Sequence, residues 1–142
     1  MSQVVTLTAQ DTAERLLPVI RDFATKLAAL NERAADILPG VNPGVVITPE
    51  GVFEAARLVC LRDTLERPVT EVARHASGLL EHAELEQVVW VELKLRLDEL
   101  EEHLRFSKVA VTLLKERLAA VPKQMLGPVR KLVEETRLEA PF

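Results

Sequence analysis

The sequence predicts an all-α protein, an elongated bundle of four to five helices with one long coiled-coil-like helix. Three observations carry this expectation. Leu16, Ile20, Phe23, Leu27, Leu30, Ala34 and Ile37 step alternately by four and three, which draws one apolar stripe on a helix. Trp90, Leu93, Leu97, Leu100, Leu104, Ser107, Val111, Leu114, Leu118 and Val121 repeat that alternation as a heptad seam. The chain also has four Phe, one Trp and no Tyr, so its core must be built from Leu, Val and Ala, which is bundle composition.

At 142 residues the chain is long enough for one domain with a real core, and residues 1–142 read as a single helical domain. With 48% hydrophobic and 28% charged residues it is not of the disordered class. Its longest apolar runs are four residues, such as Val88–Val91, whereas a spanning helix needs about 20. The N-terminal MSQVVTLTAQ lacks the basic start and long apolar segment of a secretory signal. The single cysteine, Cys60, allows no intramolecular disulfide and suits a reducing cytoplasm, which is the expected location.

The elements follow in order. Residues 1–10 read as an extended lead-in, because the β-branched stretch 4–8 has no second strand to pair with. Asp11 and Glu14 have capping-box spacing, with Thr8 and Asp11 as a weaker pair. A first helix then runs to about Leu38, with an expected kink at Pro18. Pro39-Gly-Val-Asn-Pro-Gly is the clearest break, and 39–48 reads as a loop with Val45-Val46-Ile47 tucked extended against the bundle. Thr48, Pro49 and Glu50 read as N-cap, N1 proline and first-turn acid. A second helix covers 49–66, with Phe53, Ala56, Val59 and Cys60 inward, and Arg67-Pro68 is expected to interrupt it. Helical spacing resumes through Val69, Val72, Ala76, Leu79 and Ala83, with Gly78 either a bend or a cap. The long helix covers about 84–121, roughly 57 Å at 1.5 Å per residue. Val91, Leu93, Leu95 and Leu97 alternate with charged residues as a strand would, but the longer helical period outweighs this. Pro122 ends the helix, and a short last one covers about 127–138 with Pro128 in its first turn.

Few constellations suit chemistry. No phosphate loop, dinucleotide fingerprint or nucleophile elbow occurs. The adjacent acids Glu101-Glu102 and Glu134-Glu135 diverge by about 100° on a helix, so neither is an acid/base dyad. His75 and His82 share a helix face with Glu71 and Glu86, but no second ligand-bearing helix accompanies them, so neither metal nor cofactor is expected. Cys60 falls on an apolar stripe and reads as core. Residues 68–78 have the pattern of a helix and turn preceding a DNA-recognition helix, yet that helix, 79–90, would carry Glu81, Glu84 and Glu86 and no Arg or Lys. The net charge is −4, and the sole basic stretch is Lys115, Arg117, Lys123, Arg130 and Lys131. These five are weak anion-binding candidates, since helix C-termini are commonly basic, and nucleic acid is not an expected partner.

Arg96 and His103, separated by Leu-Asp-Glu-Leu-Glu-Glu, give a spacing that resembles the Arg-x4–6-His motif of the small all-helical HEPN ribonucleases. The resemblance implies that the Arg and His serve phosphodiester cleavage at a dimer cleft. The sequence departs from the motif in having no Asn, Asp or His after Arg96, and four intervening acids would repel an RNA phosphate.

The long helix bears a second apolar stripe beside its seam. Val88, Leu95, Phe106, Val109 and Leu113 form it, with Trp90 and Val91 completing a bulky collar at its start. A helix that is apolar on two sides wants partners on both. The expected function is therefore a non-enzymatic protein-interaction module, an assembly factor, adaptor or regulator, acting as a homodimer and open to a further protein partner. The expected surface is Val88, Trp90, Val91, Leu95, Phe106, Val109 and Leu113. The alternatives are a nucleic-acid-associated scaffold and a HEPN-like ribonuclease.

Overall fold

The computed structural model describes residues 8–42 and 46–139. Among the described residues there are four α-helices, α1 (Ala9–Ile37), α2 (Pro49–His82), α3 (Gln87–Ala119) and α4 (Leu126–Glu139), which pack against each other as an all-α bundle. Short 3-10 turns cover Leu38–Gly40 and Lys123–Met125. No helix among the described residues is long and apolar enough to cross a membrane.

Helix α1 begins earlier than its sequence suggests. Residues 1–7 of the expected lead-in lie outside the described residues, whereas Ala9 and Gln10 are already helical. The working capping box is Thr8 with Asp11, not Asp11 with Glu14. The Asp11 amide donates to Thr8 Oγ1 at 3.1 Å, and the Thr8 hydroxyl and amide donate to Asp11 Oδ2 at 2.8 and 3.3 Å. Thr8 is the last residue before the helix, so its hydroxyl reaches the orphan amide of the first turn.

The 39–48 loop holds more order than expected. Val41–Asn42 pairs antiparallel with Val46–Ile47 in a two-residue ladder, while Val45 lies outside the described residues. The start of α2 is as the sequence indicates. Pro49 is its first residue, and the Gly51 amide donates to Thr48 Oγ1 at 3.0 Å. Gly51 is also required here for space, because a Cβ on it would stand 2.6 Å from the Gly40 carbonyl oxygen.

Helix α2 overturns the largest local expectation. It runs unbroken for 34 residues through Arg67, Pro68 and Gly78. Val52, Ala55, Leu58, Arg62, Val69 and Ala76 are buried along it, with Leu65 and Val72 packed alongside, so one stripe passes straight through the proline. Pro68 is exposed, and so is Thr64, whose carbonyl loses its helical donor to the proline ring. Water can satisfy that carbonyl, and burial of the stripe outweighs the roughly 3 kcal/mol penalty of an interior proline. Pro18 is exposed within α1 in the same way. Phe53, Ala56 and Val59 are half-buried and Cys60 is exposed, one register away from the true stripe. The helix-and-turn reading of 68–78 fails with the break it required, and the actual turn is 83–86.

Helix α3 spans 33 residues, so α2 matches it and the long helix is not singular. Its seam is internal: Leu93, Leu97, Leu100, Ser107, Val111 and Leu114 are all buried within the chain. The helices divide into two compact units. One takes the residues up to Ala28 with Leu65–Arg105, and the other takes Ala29–Thr64 with Phe106 onward. Ile20, Leu27, Val69, Ala76, Leu93 and Leu100 centre the core of the first. Leu30, Ala34, Val41, Ala55, Leu58 and Leu114 centre the core of the second, and Val129 of α4 packs against it.

Candidate interaction face

Helix α3 turns two faces to different surroundings. At 100° per residue, the buried set Leu93, Leu97, Leu100, Val111 and Leu114 lies roughly opposite the set Val88, Val91, Leu95, Phe106 and Val109. The second set faces outward. Val88 is 75% exposed, Leu95 59%, Phe106 58% and Val109 68%, with Val91 exposed and Leu113 half-buried. Within each of two stretches the row steps by three and then four, as one helix face does, at 88, 91 and 95 and at 106, 109 and 113.

The outward face falls into two blocks. Val88, Val91 and Leu95 line a shallow open groove flanked by Gln87, Glu92, Arg96 and Glu99. Val109 and Leu113 line a second, with Lys108, Thr112 and Glu116. Glu99 and Glu102 occupy the stripe between the blocks. Charges around the first groove are held by near neighbours. Glu92 accepts from Arg21 Nη2 of α1 at 2.8 Å, Arg96 Nη1 donates to Glu99 Oε2 at 3.2 Å, and Lys94 Nζ donates to Asp98 Oδ1 at 3.1 Å. Arg96 Nε is buried and makes no hydrogen bond.

Trp90 is 39% exposed but stands apart from this row. Its Nε1–H donates to the Leu80 carbonyl at 3.1 Å, so the indole clasps the end of α2 to the start of α3. Its position on the helix lies well round from the Val88–Leu95 row, which is why it lines neither groove. The same turn is tied to α1 by the Gln10 side chain, whose Oε1 accepts from the Glu86 amide at 3.1 Å.

The other candidates separate. Lys115 pairs with Asp63 at 3.8 Å, and Arg117 Nη1 donates to the Leu38 carbonyl, so these two serve the fold beside α1 and α2. Lys123, Arg130 and Lys131 are exposed on the last two elements. Of the supposed His and Glu ladder, Glu86 lies in the α2–α3 turn, off the helix that carries His75 and His82. Among the described residues no group of three or more His, Cys, Asp or Glu is placed to hold a metal ion. Arg96, the arginine of the HEPN-like spacing, is paired with Glu99, one of the four acids inside that spacing.

Sequence reasoning missed one polar feature. Arg62 is 4% exposed and Ser107 is 0% exposed, and Arg62 Nε donates to Ser107 Oγ at 3.2 Å across α2 and α3. Ser107 stands out in the sequence as the odd member of the seam. Arg62 does not, because a charged residue in a stripe reads as its edge.

Comparison with protein-family models, with curated proteins and with solved structures yields no match.

Proposed function

We propose that this chain is a non-enzymatic helical interaction module, an assembly factor, adaptor or regulator that works as a homo-oligomer through the outward face of α3. One observation supports the reading above the rest: aliphatic side chains stand exposed at heptad spacing on the side of α3 away from its own core. Covering each such side chain is worth about 1.5–3 kcal/mol, and clustered exposed apolar side chains of this kind mark contact surfaces. The length of α3 is not part of the support, since α2 is as long. The exposed lone Cys60 accords with the reducing cytoplasm as its setting.

The test is light scattering at tens of micromolar on the wild type and on a Val91→Glu plus Leu95→Glu variant. The expected result is a wild-type oligomer and a folded, helical, monomeric variant. A monomeric wild type would refute the homo-oligomer.

A further inference from the structure

We infer that the α2–α3 turn is a hinge coded as helix: it opens into one continuous helix, and two copies of the chain then exchange α3 as a swapped dimer. The inference is independent of the outward face of α3, which either form leaves uncovered. From Leu79 to Val121 there is neither Gly nor Pro, so no helix breaker marks the turn at 83–86. The α1–α2 connection, by contrast, holds Pro39, Gly40, Pro43 and Gly44, and Pro122 follows α3. Ala83, Glu84, Leu85 and Glu86 are all good helix formers. The helix ends at this turn also lack stop signals. Among the described residues none has a positive φ, so α2 finishes without the left-handed residue that commonly closes a helix. The Glu86 carbonyl accepts the first bond of α3, from the Trp90 amide at 2.9 Å, and glutamate is not among the residues preferred at that position.

The helical spacing also runs through the turn without a change of phase. Val69, Val72, Ala76, Leu79 and Ala83 step by three and four, and Glu86, Trp90, Leu93, Leu97 and Leu100 continue the same steps. What bends the chain here is tertiary. The Trp90 indole N–H donates to the Leu80 carbonyl, the Gln10 side chain accepts from the Glu86 amide, and Leu85 packs against the core. Local coding and tertiary ties thus oppose each other at four residues. When the turn straightens, Val69 and Ala76 lose Leu93, Leu97 and Leu100 of their own chain as core neighbours. The α3 of a second copy, straightened alike, restores the same contacts, which makes exchange of an identical element a low-cost route to a dimer. Glu86 puts a charge on the continuous track and so biases the balance toward the closed form.

Two spin labels on one chain read the hinge. Cys60 is exposed on α2, and Val109 is 68% exposed on α3. Each lies two residues farther from the turn than the hydrogen-bonded Arg62 and Ser107, so in the closed chain they stand level on adjoining helices. In a continuous helix about 70 Å separates them, at 1.5 Å per residue. The Val109→Cys chain, labelled at both cysteines and diluted into excess unlabelled chain, is refolded from urea at high concentration, and the dimer fraction is isolated. Val91→Glu plus Leu95→Glu is present throughout, so that association through the outward face does not contribute. The expected result is a dimer whose labels lie about 70 Å apart. Glu86→Leu should enrich it several-fold, and insertion of two glycines between Glu84 and Leu85 should abolish it. Refolding that yields only monomer, with Glu86→Leu included, overturns the hinge. A dimer whose labels stay close overturns it too, as does one formed equally by the glycine variant. None of these outcomes bears on the outward face, which has its own test.

Discussion

In the unit formed by the residues up to 28 and 65–105, Ile20, Leu27, Val69, Leu93 and Leu100 meet with no buried polar side chain among the described residues. In the unit formed by 29–64 and 106 onward, the same three helices meet around Arg62 and Ser107. The second unit also relies on Arg117 at the Leu38 carbonyl and on a backbone approach at Gly51 that no side chain fits. The helical spacing is the same in both. The difference lies inside the cores: the first is closed by apolar side chains, with its polar ties at Trp90, Gln10 and Arg21 outside it, whereas the second holds a buried polar pair. The first should accept aliphatic exchange, and the second should fail at single polar or backbone positions.

Truncating the apolar cores should give the largest effects and blur the contrast. Leu93→Ala in one unit and Leu114→Ala in the other are each expected to cost about 2–5 kcal/mol by urea unfolding, with Leu93→Met below about 1.5 kcal/mol. The polar pair should restore the contrast. Ser107→Ala is expected to cost about 1–3 kcal/mol, because the buried Arg62 Nε–H loses its acceptor. Adding Arg62→Met to Ser107→Ala should regain stability relative to Ser107→Ala alone, since apolar replacement of a buried polar pair is commonly neutral or favourable. A double variant less stable than the single would show that the guanidinium stabilises the core through its other contacts.

Two glycines sharpen the comparison by opposite signs. Gly51→Ala should lower stability by about 1–3 kcal/mol, as its Cβ would overlap the Gly40 carbonyl oxygen. Gly78→Ala should raise it by about 0.5–1 kcal/mol, because Gly78 sits inside α2 with nothing within 4 Å of an added Cβ. Thermal melts of both variants decide the signs. Arg21→Ala should change stability by less than about 1 kcal/mol, as the Arg21–Glu92 pair is largely exposed. A loss above that in a salt titration of the melt would place more weight on this pair than its exposure allows.

Helices α1 and α3 are legible in the sequence because their stripes keep constant spacing and are almost wholly apolar, Ser107 being the one polar member. Both stripes of α3 can be seen there, and the exposed one can be named almost residue by residue. Helix α2 reads less well. Its stripe contains an arginine, and its proline lies on the outer side, where the lost hydrogen bond is open to water. Both signals argue locally for an interruption, and only the three-dimensional neighbours overrule them. Trp90, 39% exposed, is read incompletely for a related reason. Its size suggests an anchor for a partner, but its indole N–H has a carbonyl to satisfy within the chain. Arg117 looks like one member of a basic stretch until its acceptor on Leu38 is seen.

The Arg62–Ser107 pair has a further consequence for how the chain avoids folding wrongly. A seam of near-identical aliphatic rungs is degenerate, since α3 displaced by seven residues would bury much the same surface. In the seam, Leu100 and Leu114 stand seven residues to either side of Ser107. A one-heptad slip would bring one of those leucines to Arg62 and strand a guanidinium against hydrocarbon, a far larger penalty than a lost van der Waals contact. The single hydroxyl thus acts as an alignment mark on an otherwise uniform ruler. The Arg62→Met, Ser107→Ala chain, stable as it should be, is the form in which neighbouring registers become close competitors.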